Sequence, residues 1–235
     1  MSMSAVLTSC GSGLGGWRRP WPTSRAEAAC GQACRAWFAL AGRLVCGSIG
    51  LVTLIYLVQH GEKERLAGDP GLTELGSGQA GATARWLQGA GLQALFSSPL
   101  RRARETAAAI AAATGLPVQV DDRLRERLNW DGTQTFDAFL ADWDRSARDR
   151  DFTLSGGESS RSAGDRMREF VAGLCGRPGP VAAVSHGGVT ADLLRTLLGD
   201  EALPPDLLAG GIPPCAVTTL DDLRVVAIAS TGHVR

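Results

Sequence analysis

Short apolar segments alternate with helical ones from about residue 53 onward, and this alternation most constrains the fold. Residues 53–58 and 181–185 are β-branched and apolar runs with the length of buried strands. Residues 101–114 are rich in alanine and are followed by Gly115, which suits the C-terminal cap of a helix. Strands that alternate with helices of this length predict an α/β fold, a three-layer α/β/α sandwich with a mostly parallel sheet and helices on both faces.

The remaining elements follow from the same periodicities. Thr73 is a candidate N-cap for a helix whose apolar positions share one face, although Gly76 weakens its helix propensity. We expect Trp86, Leu87, Ile110 and Leu193 to belong to the core. The other predicted strands are 92–97, 117–120, 216–220 and 224–230, and the other predicted helices are 73–88, 135–150, 159–174 and 189–198.

Two of the three histidines stand in the same local context. His60 follows the strand at 53–58 after one residue and precedes Gly61, whereas His186 follows the strand at 181–185 directly and precedes Gly187. In open α/β sheets, ligands bind beyond the carboxyl ends of the strands, where backbone amides point at anions. The pattern favours one pocket shared by both histidines over the alternative that each satisfies a buried loop.

An arginine pair adds a third element to this pocket. Arg101 and Arg102 open a predicted helix, where a positive charge opposes the helix dipole unless an anion compensates it. We therefore expect one of the two to point at the pocket and the other at solvent. The loop 124–132 supplies carboxylates, among them Glu126, for which solvated loop charges are the simpler interpretation.

These segments resemble the histidine phosphatase (phosphoglycerate mutase-like) superfamily. The likeness runs in order from about Thr53 to His233 and implies the phosphoglycerate mutase-like variant of the α/β/α sandwich. It rests on Gln59-His60-Gly61-Glu62, on the run Ser97-Ser98-Pro99-Leu100-Arg101-Arg102-Ala103-Arg104-Glu105-Thr106-Ala107, on Leu124-Arg125-Glu126 and on Ser185-His186-Gly187-Gly188, with support from Leu72-Thr73-Glu74-Leu75-Gly76 and Gly156-Gly157-Glu158-Ser159.

The resemblance implies a phosphomonoester hydrolase that needs no metal and no cofactor. His60 would attack phosphorus and form a phosphohistidine, while Arg102 and His186 would hold the phosphoryl oxygens. Glu126 would protonate the leaving oxygen and later activate water. Transfer of the phosphoryl group to another hydroxyl would instead make the enzyme a mutase. The expected phosphate-binding residues are Gln59, Gly61, Lys63, Arg102 and Gly187.

Gln59 departs from the family pattern, which has an arginine immediately before the nucleophilic histidine. Glutamine donates hydrogen bonds to phosphate without a charge, whereas Lys63 or Arg65 could supply one from the following loop. An alternative hypothesis is therefore a catalytically weakened phosphate- or phosphoprotein-binding module.

A serine hydrolase is the remote alternative. Ser185 stands between a strand and a helix, as in a nucleophile elbow, and Asp206 or Asp221 and then His233 follow in the order of a catalytic triad. This interpretation leaves His60, Arg102 and Glu126 without a role.

The charge balance and the cysteine content limit the kinds of partner and the cellular compartment that we expect for this chain. The chain carries 24 basic and 24 acidic side chains, and this balance argues against nucleic acid or an anionic membrane as a partner. The six cysteines follow no disulfide or zinc spacing, which favours reduced thiols in a cytoplasmic protein. The expected partner is a small phosphorylated substrate, and the sequence leaves the oligomeric state open.

The alternation of predicted strands and helices does not extend into residues 1–50, whereas residues 51–235 form the predicted catalytic domain. Gly11–Gly16 matches a dinucleotide-binding fingerprint only formally, because Trp17 to Pro22 follow where a helix should begin. The apolar run 45–58 is shorter than the roughly 20 residues of a membrane span. We predict a poorly ordered N-terminal extension and a native start near Leu51 or Val52.

Overall fold

The computed structural model describes residues 52–204, Leu207 and residues 211–234. The predicted N-terminal extension at 1–50 and the acid candidate Asp206 lie outside these described residues. The strands are β1 (Leu54–Gln59), β2 (Ala94–Ser97), β3 (Val118–Val120), β4 (Val181–Ser185), β5 (Val217–Asp221) and β6 (Arg224–Ser230). The α-helices of the described part are α1 (Glu74–Gln88), α2 (Arg101–Thr114), α3 (Phe136–Arg148), α4 (Ser160–Ala172) and α5 (Gly187–Leu198), and short 3₁₀ turns span Asp122–Leu124 and Asp200–Ala202.

The strands form one mixed sheet in the order β3-β2-β4-β1-β5-β6. Strands β3, β2, β4 and β1 run parallel to one another, whereas β5 runs antiparallel to both β1 and β6. The prediction of a mostly parallel sheet is confirmed, and the last two strands form an antiparallel pair.

Helices cover both faces of the sheet because successive strand residues point in opposite directions. Ile55 and Leu57 of β1 pack in one cluster with Phe170 of α4 and Leu193 of α5. On the other face, Val58 belongs to a cluster with buried side chains of α1 and α2 that include Leu87, Ala107 and Ile110. These two apolar layers are the cores of the predicted three-layer α/β/α sandwich.

Local signals set the helix ends as expected. The Thr73 hydroxyl oxygen accepts a hydrogen bond from the Gly76 amide at 2.9 Å, so Thr73 is the N-cap of α1. Gly115 ends α2 in the left-handed region with φ +75°. Helix α5 begins at Gly187 and not at residue 189, because the chain becomes helical immediately after the extended His186.

Gly76 has a packing role that its low helix propensity conceals. A Cβ on Gly61 would lie 2.5 Å from the Gly76 carbonyl oxygen, and one on Gly76 would overlap the Glu62 carbonyl. Both glycines are needed for the start of α1 to lie directly against the turn that follows β1. Gly76 therefore fixes the position of this turn, although it lowers the helix propensity of α1.

The prediction that Trp86 belongs to the core is wrong. Its side chain is 44% exposed on α1, where it meets Tyr56 edge-to-face at 5.5 Å and stacks on His233 at 4.9 Å. Leu87, Ile110 and Leu193 are fully buried as expected. Among the described helices, none combines the length and the apolar character that crossing a bilayer requires.

Candidate active site

The sheet brings the two predicted histidines together. Strands β1 and β4 are parallel neighbours with Gln59 opposite Ser185, so the next residue of each chain segment, His60 and His186, emerges at the same edge. Their ring centroids are 5.2 Å apart with an interplanar angle of 61°. The two His-Gly turns therefore line one site, as their shared sequence context indicates.

Hydrogen bonds fix the tautomer of His60. Its Nδ1 lies 2.7 Å from the Gly61 carbonyl oxygen, which can only accept, so Nδ1 carries the proton. Its Nε2 accepts a hydrogen bond from Arg102 Nε at 3.1 Å and is therefore unprotonated. Burial, and next the positive charge of Arg102, lowers the pKa of His60 to about 3. His60 thus presents a free nitrogen lone pair at neutral pH.

His186 is oriented by Ser98. The Ser98 oxygen accepts from the Leu100 amide at 3.3 Å, and its hydroxyl hydrogen is free to donate to His186 Nε2 at 2.7 Å. With Ser98 as the donor of this bond, His186 carries its proton on Nδ1, which is buried and has no hydrogen-bond partner among the described residues. Burial, and next the charge of Arg102, holds the pKa of His186 well below its usual value. A buried N–H without a partner is a ready donor for a ligand oxygen.

Arg102 enters the site from the first turn of α2. It is 3% exposed, whereas the Arg101 side chain is 64% exposed and pairs with Glu105, so the expected division between pocket and solvent is confirmed. Arg102 Nη1 donates to Asn129 Oδ1 at 3.2 Å and lies 3.7 Å from Asp69 Oδ1. Asn129 and Asp69 were not found from the sequence, although Asn129 lies in the same loop as Glu126.

Glu126 is held at the N-terminus of α5 and is not a solvated loop charge. Its carboxylate accepts hydrogen bonds from the amides of Gly188 at 3.0 Å, Val189 at 2.9 Å and Arg127 at 2.9 Å. A Cβ on Gly188 would lie 2.6 Å from Glu126 Oε1. Gly188 has no side chain and therefore leaves room for the Glu126 carboxylate in the site.

The remaining predicted phosphate-binding residues surround the same point. Gln59 Nε2 lies 3.3 Å from His60 Nε2, while Gln59 Oε1 is buried without a hydrogen-bond partner among the described residues. The Gly61 amide donates to Thr106 Oγ1 at 3.1 Å, which fixes the turn after β1. Lys63 is half-buried beside the cavity, and burial, followed by the charge of Arg102, lowers its pKa.

A cavity of about 390 Å³ opens in front of these groups. Its polar end is lined by Gln59, His60, Lys63, Arg102, Glu126 and Gly187. Its other wall is apolar and comes largely from α3. That wall consists of Leu66, Trp130, Phe136, Phe139, Leu140 and Trp143.

The aromatic wall is the largest feature that the sequence did not reveal. Trp130 packs on Phe136 with ring centroids 5.1 Å apart. Trp143 is the ring that approaches Glu126, since a Cβ on Gly188 would lie 2.7 Å from Trp143 and 2.6 Å from Glu126. The spacing of Phe136, Phe139, Leu140 and Trp143 on one helix face is the signal that could have identified this wall.

Ser185 is not placed as an exposed nucleophile. It is fully buried, and its hydroxyl donates to the Leu124 carbonyl oxygen at 2.8 Å. His233 lies instead within hydrogen-bond distance of Thr83 Oγ1 and the Cys215 carbonyl oxygen. A nucleophile elbow requires an exposed serine with a histidine in reach, so the geometry gives no support to a serine hydrolase.

The comparisons with known proteins agree with one another. Residues 55–222 match the family model described as histidine phosphatase superfamily (branch 1). A glucosyl-3-phosphoglycerate phosphatase of Mycolicibacterium vanbaalenii is 35% identical, over 66% of this chain and 77% of that protein. A probable phosphoglycerate mutase of Serratia proteamaculans is 34% identical, over 75% of this chain and 88% of that protein. The structure of a mycobacterial glucosyl-3-phosphoglycerate phosphatase with inorganic phosphate superposes with a TM-score of 0.64 at 31% identity, covering 77% of this chain and 99% of that one.

Proposed function

Because the chain belongs to the histidine phosphatase superfamily, we propose that it hydrolyses phosphate monoesters through a phosphohistidine on His60. The observation that carries this proposal is the state of the His60 ring. Its Nδ1 proton is engaged by Gly61, and its Nε2 lone pair faces the cavity beside Arg102. A nucleophile needs such a free lone pair, and an adjacent cation that binds the phosphoryl group brings phosphorus into reach.

The first half-reaction transfers the phosphoryl group to the enzyme. His60 Nε2 forms a bond to phosphorus while the bond from phosphorus to the ester oxygen breaks. Arg102 would move its hydrogen bonds from the His60 nitrogen to two phosphoryl oxygens, for which its planar guanidinium is suited. The partnerless Nδ1–H of His186 would donate to a third oxygen as charge develops on it.

Glu126 serves both half-reactions in this scheme. It gives a proton to the leaving ester oxygen and then accepts one from the water that attacks the phosphohistidine. The bond from Nε2 to phosphorus breaks as inorganic phosphate forms, and Glu126 is protonated again. The three amides that hold its carboxylate aim it at the cavity from the end of α5.

Gln59, Lys63 and the turn residues Gly61 and Gly187 complete the proposed phosphate site. Gln59 Nε2 already points at the attacking nitrogen and would pass to a phosphoryl oxygen. Lys63 is the nearby cation that can supply part of the charge missing at position 59, and its depressed pKa is consistent with a position close to Arg102.

The test is hydrolysis of para-nitrophenyl phosphate in the presence of EDTA. We expect His60→Ala to lower kcat by at least about a thousandfold, since it removes the nucleophile. His233→Ala is the matched control, because His233 lies outside the cavity, and it should retain the rate of the unmodified protein. Equal rates for His60→Ala and the unmodified protein would refute the phosphohistidine mechanism.

A phosphate-binding module without turnover is the second candidate, and the uncharged Gln59 is the observation that favours it. The same assay separates the two functions when it is combined with calorimetry of orthovanadate binding. Tight vanadate binding with no hydrolysis at any pH between 5 and 9 would favour the binding module. Transfer of the phosphoryl group to added glycerol, detected as glycerol phosphate, would reveal a mutase-like acceptor site.

A further inference from the structure

Four aromatic rings form a continuous ladder along the wall of the cavity that faces His60. Trp130 and Phe136 have ring centroids 5.1 Å apart, Phe136 and Phe139 are 6.1 Å apart, and Phe139 and Trp143 are 5.8 Å apart. All four rings line the cavity. The ladder begins at the cavity mouth and ends beside Glu126, which is where the ester oxygen of a substrate would lie.

The mouth of the cavity exposes large apolar side chains to water. Phe136 is 47% exposed, Leu140 is 45% exposed and Leu66 is 60% exposed, and all three line the cavity. A cluster of exposed apolar side chains next to a polar site is typical of a ligand-binding surface.

The charged side chains below the ladder are engaged with one another. Arg127 Nε lies 3.0 Å from Asp192 Oδ2, and Arg195 Nη2 lies 2.7 Å from Asp200 Oδ2. Arg127, Asp192 and Arg195 are each at most 6% exposed. They can contribute little recognition of hydroxyl groups, because they are buried and their charges are paired within the protein, although Arg127 Nε and Asp192 Oδ2 make no hydrogen bond among the described residues.

The other polar groups of the described lining belong to the phosphate end. Asn129 is bonded to Arg102 and to the Gly68 carbonyl oxygen, and Glu126 is bonded to three amides. Lys63 and Arg65 remain; they stand three and five residues after His60 in the chain, and both line the cavity. Along the aromatic ladder, the described residues offer a substrate apolar contact and little else.

We propose that the leaving group of the substrate is an apolar alcohol, aromatic or branched alkyl, that packs on this ladder. The inference rests on the proposed function, because it extends the substrate from the phosphoryl group held at His60 into the rest of the cavity. A phosphoryl group with one aromatic ring fits within the cavity volume of about 390 Å³. The ladder thereby selects against esters rich in hydroxyl and carboxylate groups, which would lose water without gaining hydrogen bonds.

Phosphate esters whose leaving alcohols differ in polarity test the proposed preference directly. We expect kcat/KM for 3-phenylpropyl phosphate to exceed that for glycerol 3-phosphate and 3-phosphoglycerate by at least about tenfold, since one buried phenyl ring contributes that much or more. Higher kcat/KM for glycerol 3-phosphate or 3-phosphoglycerate would overturn the inference and leave the phosphatase proposal intact.

Substitutions in the aromatic ladder test whether its rings produce the preference for apolar leaving groups. Phe136→Ala and Phe139→Ala should each lower kcat/KM for 3-phenylpropyl phosphate about fivefold, mainly through KM, and should change kcat/KM for ethyl phosphate less than about twofold. Phe152→Ala is the matched control, because Phe152 packs under Arg145 and does not line the cavity. Equal losses for both substrates would show that the ladder only supports the fold.

A binding measurement keeps the inference testable in a protein without turnover. Calorimetry should give a Kd for 3-phenylpropylphosphonate at least about tenfold below that for ethylphosphonate, and orthovanadate should displace both. This preference without hydrolysis would support the apolar pocket and refute the hydrolase. Equal affinities would refute the pocket whether or not the protein hydrolyses phosphate esters.

Discussion

The two ends of the cavity are built in different ways. At the phosphate end, His60, His186 and Arg102 are at most 7% exposed and are held by hydrogen bonds at the ends of strands and helices. At the other end, Phe136 and Leu140 of α3 are nearly half exposed and are held only by apolar contacts. The side chains of the phosphate end are held in place by hydrogen bonds before a ligand binds. The side chains of the apolar end are held mainly by apolar contacts, which are less specific.

This difference separates the reaction from the choice of substrate. Positioned donors and a desolvated nucleophile determine what happens at phosphorus, and small displacements of them cost rate. Apolar contacts grade substrates by size and shape, and each contact can change without disturbing the chemistry. The chain is a phosphatase of the histidine phosphatase type, and we infer that the apolar end of the cavity decides which phosphate esters it accepts.

Arg127 joins the two ends, and its loss should have the largest effect. Its amide donates to Glu126, its Nη1 donates to Ser146 of α3 at 2.9 Å, and its guanidinium lies 4.1 Å from the Trp143 ring. We expect Arg127→Met to lower the free energy of unfolding by about 3–5 kcal/mol, because it removes the ion-pair partner of the buried Asp192 carboxylate and leaves it only the hydrogen bond from the Ser160 hydroxyl. Urea denaturation measures this loss.

Arg148→Met is the matched control for Arg127→Met. Arg148 forms an ion pair with Asp144 on the same helix, but its side chain is 71% exposed, so the loss should stay below about 0.5 kcal/mol. Asp192→Asn in the Arg127→Met background should recover part of the stability by removing the buried charge. A loss below about 1 kcal/mol for Arg127→Met would mean that the two ends are not coupled through this residue.

Substitution of Gln59 tests whether the phosphate end lacks a positive charge at this position. Gln59→Arg places a charged donor where Gln59 Nε2 now lies 3.3 Å from His60 Nε2. Because a charged hydrogen bond contributes more than a neutral one, we expect kcat/KM to rise about tenfold for ethyl phosphate and for 3-phenylpropyl phosphate alike. Steady-state kinetics with both substrates measures the rise.

Gln59→Met provides the comparison for that gain, since it keeps the approximate length of the side chain and removes the donor. It should lower kcat/KM for both substrates without changing their ratio. No change or a fall in Gln59→Arg would indicate that the pocket has been rebuilt around glutamine. A change in the substrate ratio would indicate that Gln59 belongs functionally to the apolar end.

The sequence predicted the phosphate end far better than the apolar end. His60, Arg102 and His186 follow strands or open helices with distinctive neighbours, so pattern and topology together bring them to one edge of the sheet. The aromatic wall carries no such mark, because Phe139 and Trp143 at helical spacing look the same whether they face a core or a cavity. The guanidinium of Arg127 lies over the Trp143 ring, and no local pattern encodes this contact.

Tertiary contact also accounts for two features that periodicity did not show. Gly76 lowers helix propensity, yet the turn after β1 requires it because any side chain there would overlap Glu62. The helical pattern of α1 predicts Trp86 in the core, yet its side chain is 44% exposed and stacks on His233. Periodicity identifies the face of a helix but does not show how far the neighbouring layer extends.

The smallest effect that we predict concerns the pH dependence of stability, which belongs to the phosphate end alone. Burial, followed by the charge of Arg102, lowers the pKa of His60 to about 3 in the folded protein, whereas an unfolded histidine titrates near pH 6.5. Between these values the unfolded chain binds a proton at His60 and the folded protein does not, so protonation favours unfolding as the pH falls. Lowering the pH from 7.5 to 6.0 should therefore cost the unmodified protein about 0.8 kcal/mol through this residue.

The His60→Asn variant isolates that contribution, because every other titrating group is common to both proteins. The free energy of unfolding of His60→Asn, relative to the unmodified protein, should rise by about 0.8 kcal/mol between pH 7.5 and pH 6.0. His233 is only partly buried, and burial lowers its pKa less completely, so His233→Asn should show a smaller rise of the same sign. A constant difference for His60→Asn would mean that water reaches the His60 ring in solution. The phosphate end would then be as open as the apolar end, and the contrast between them would not explain why the nucleophile is unprotonated.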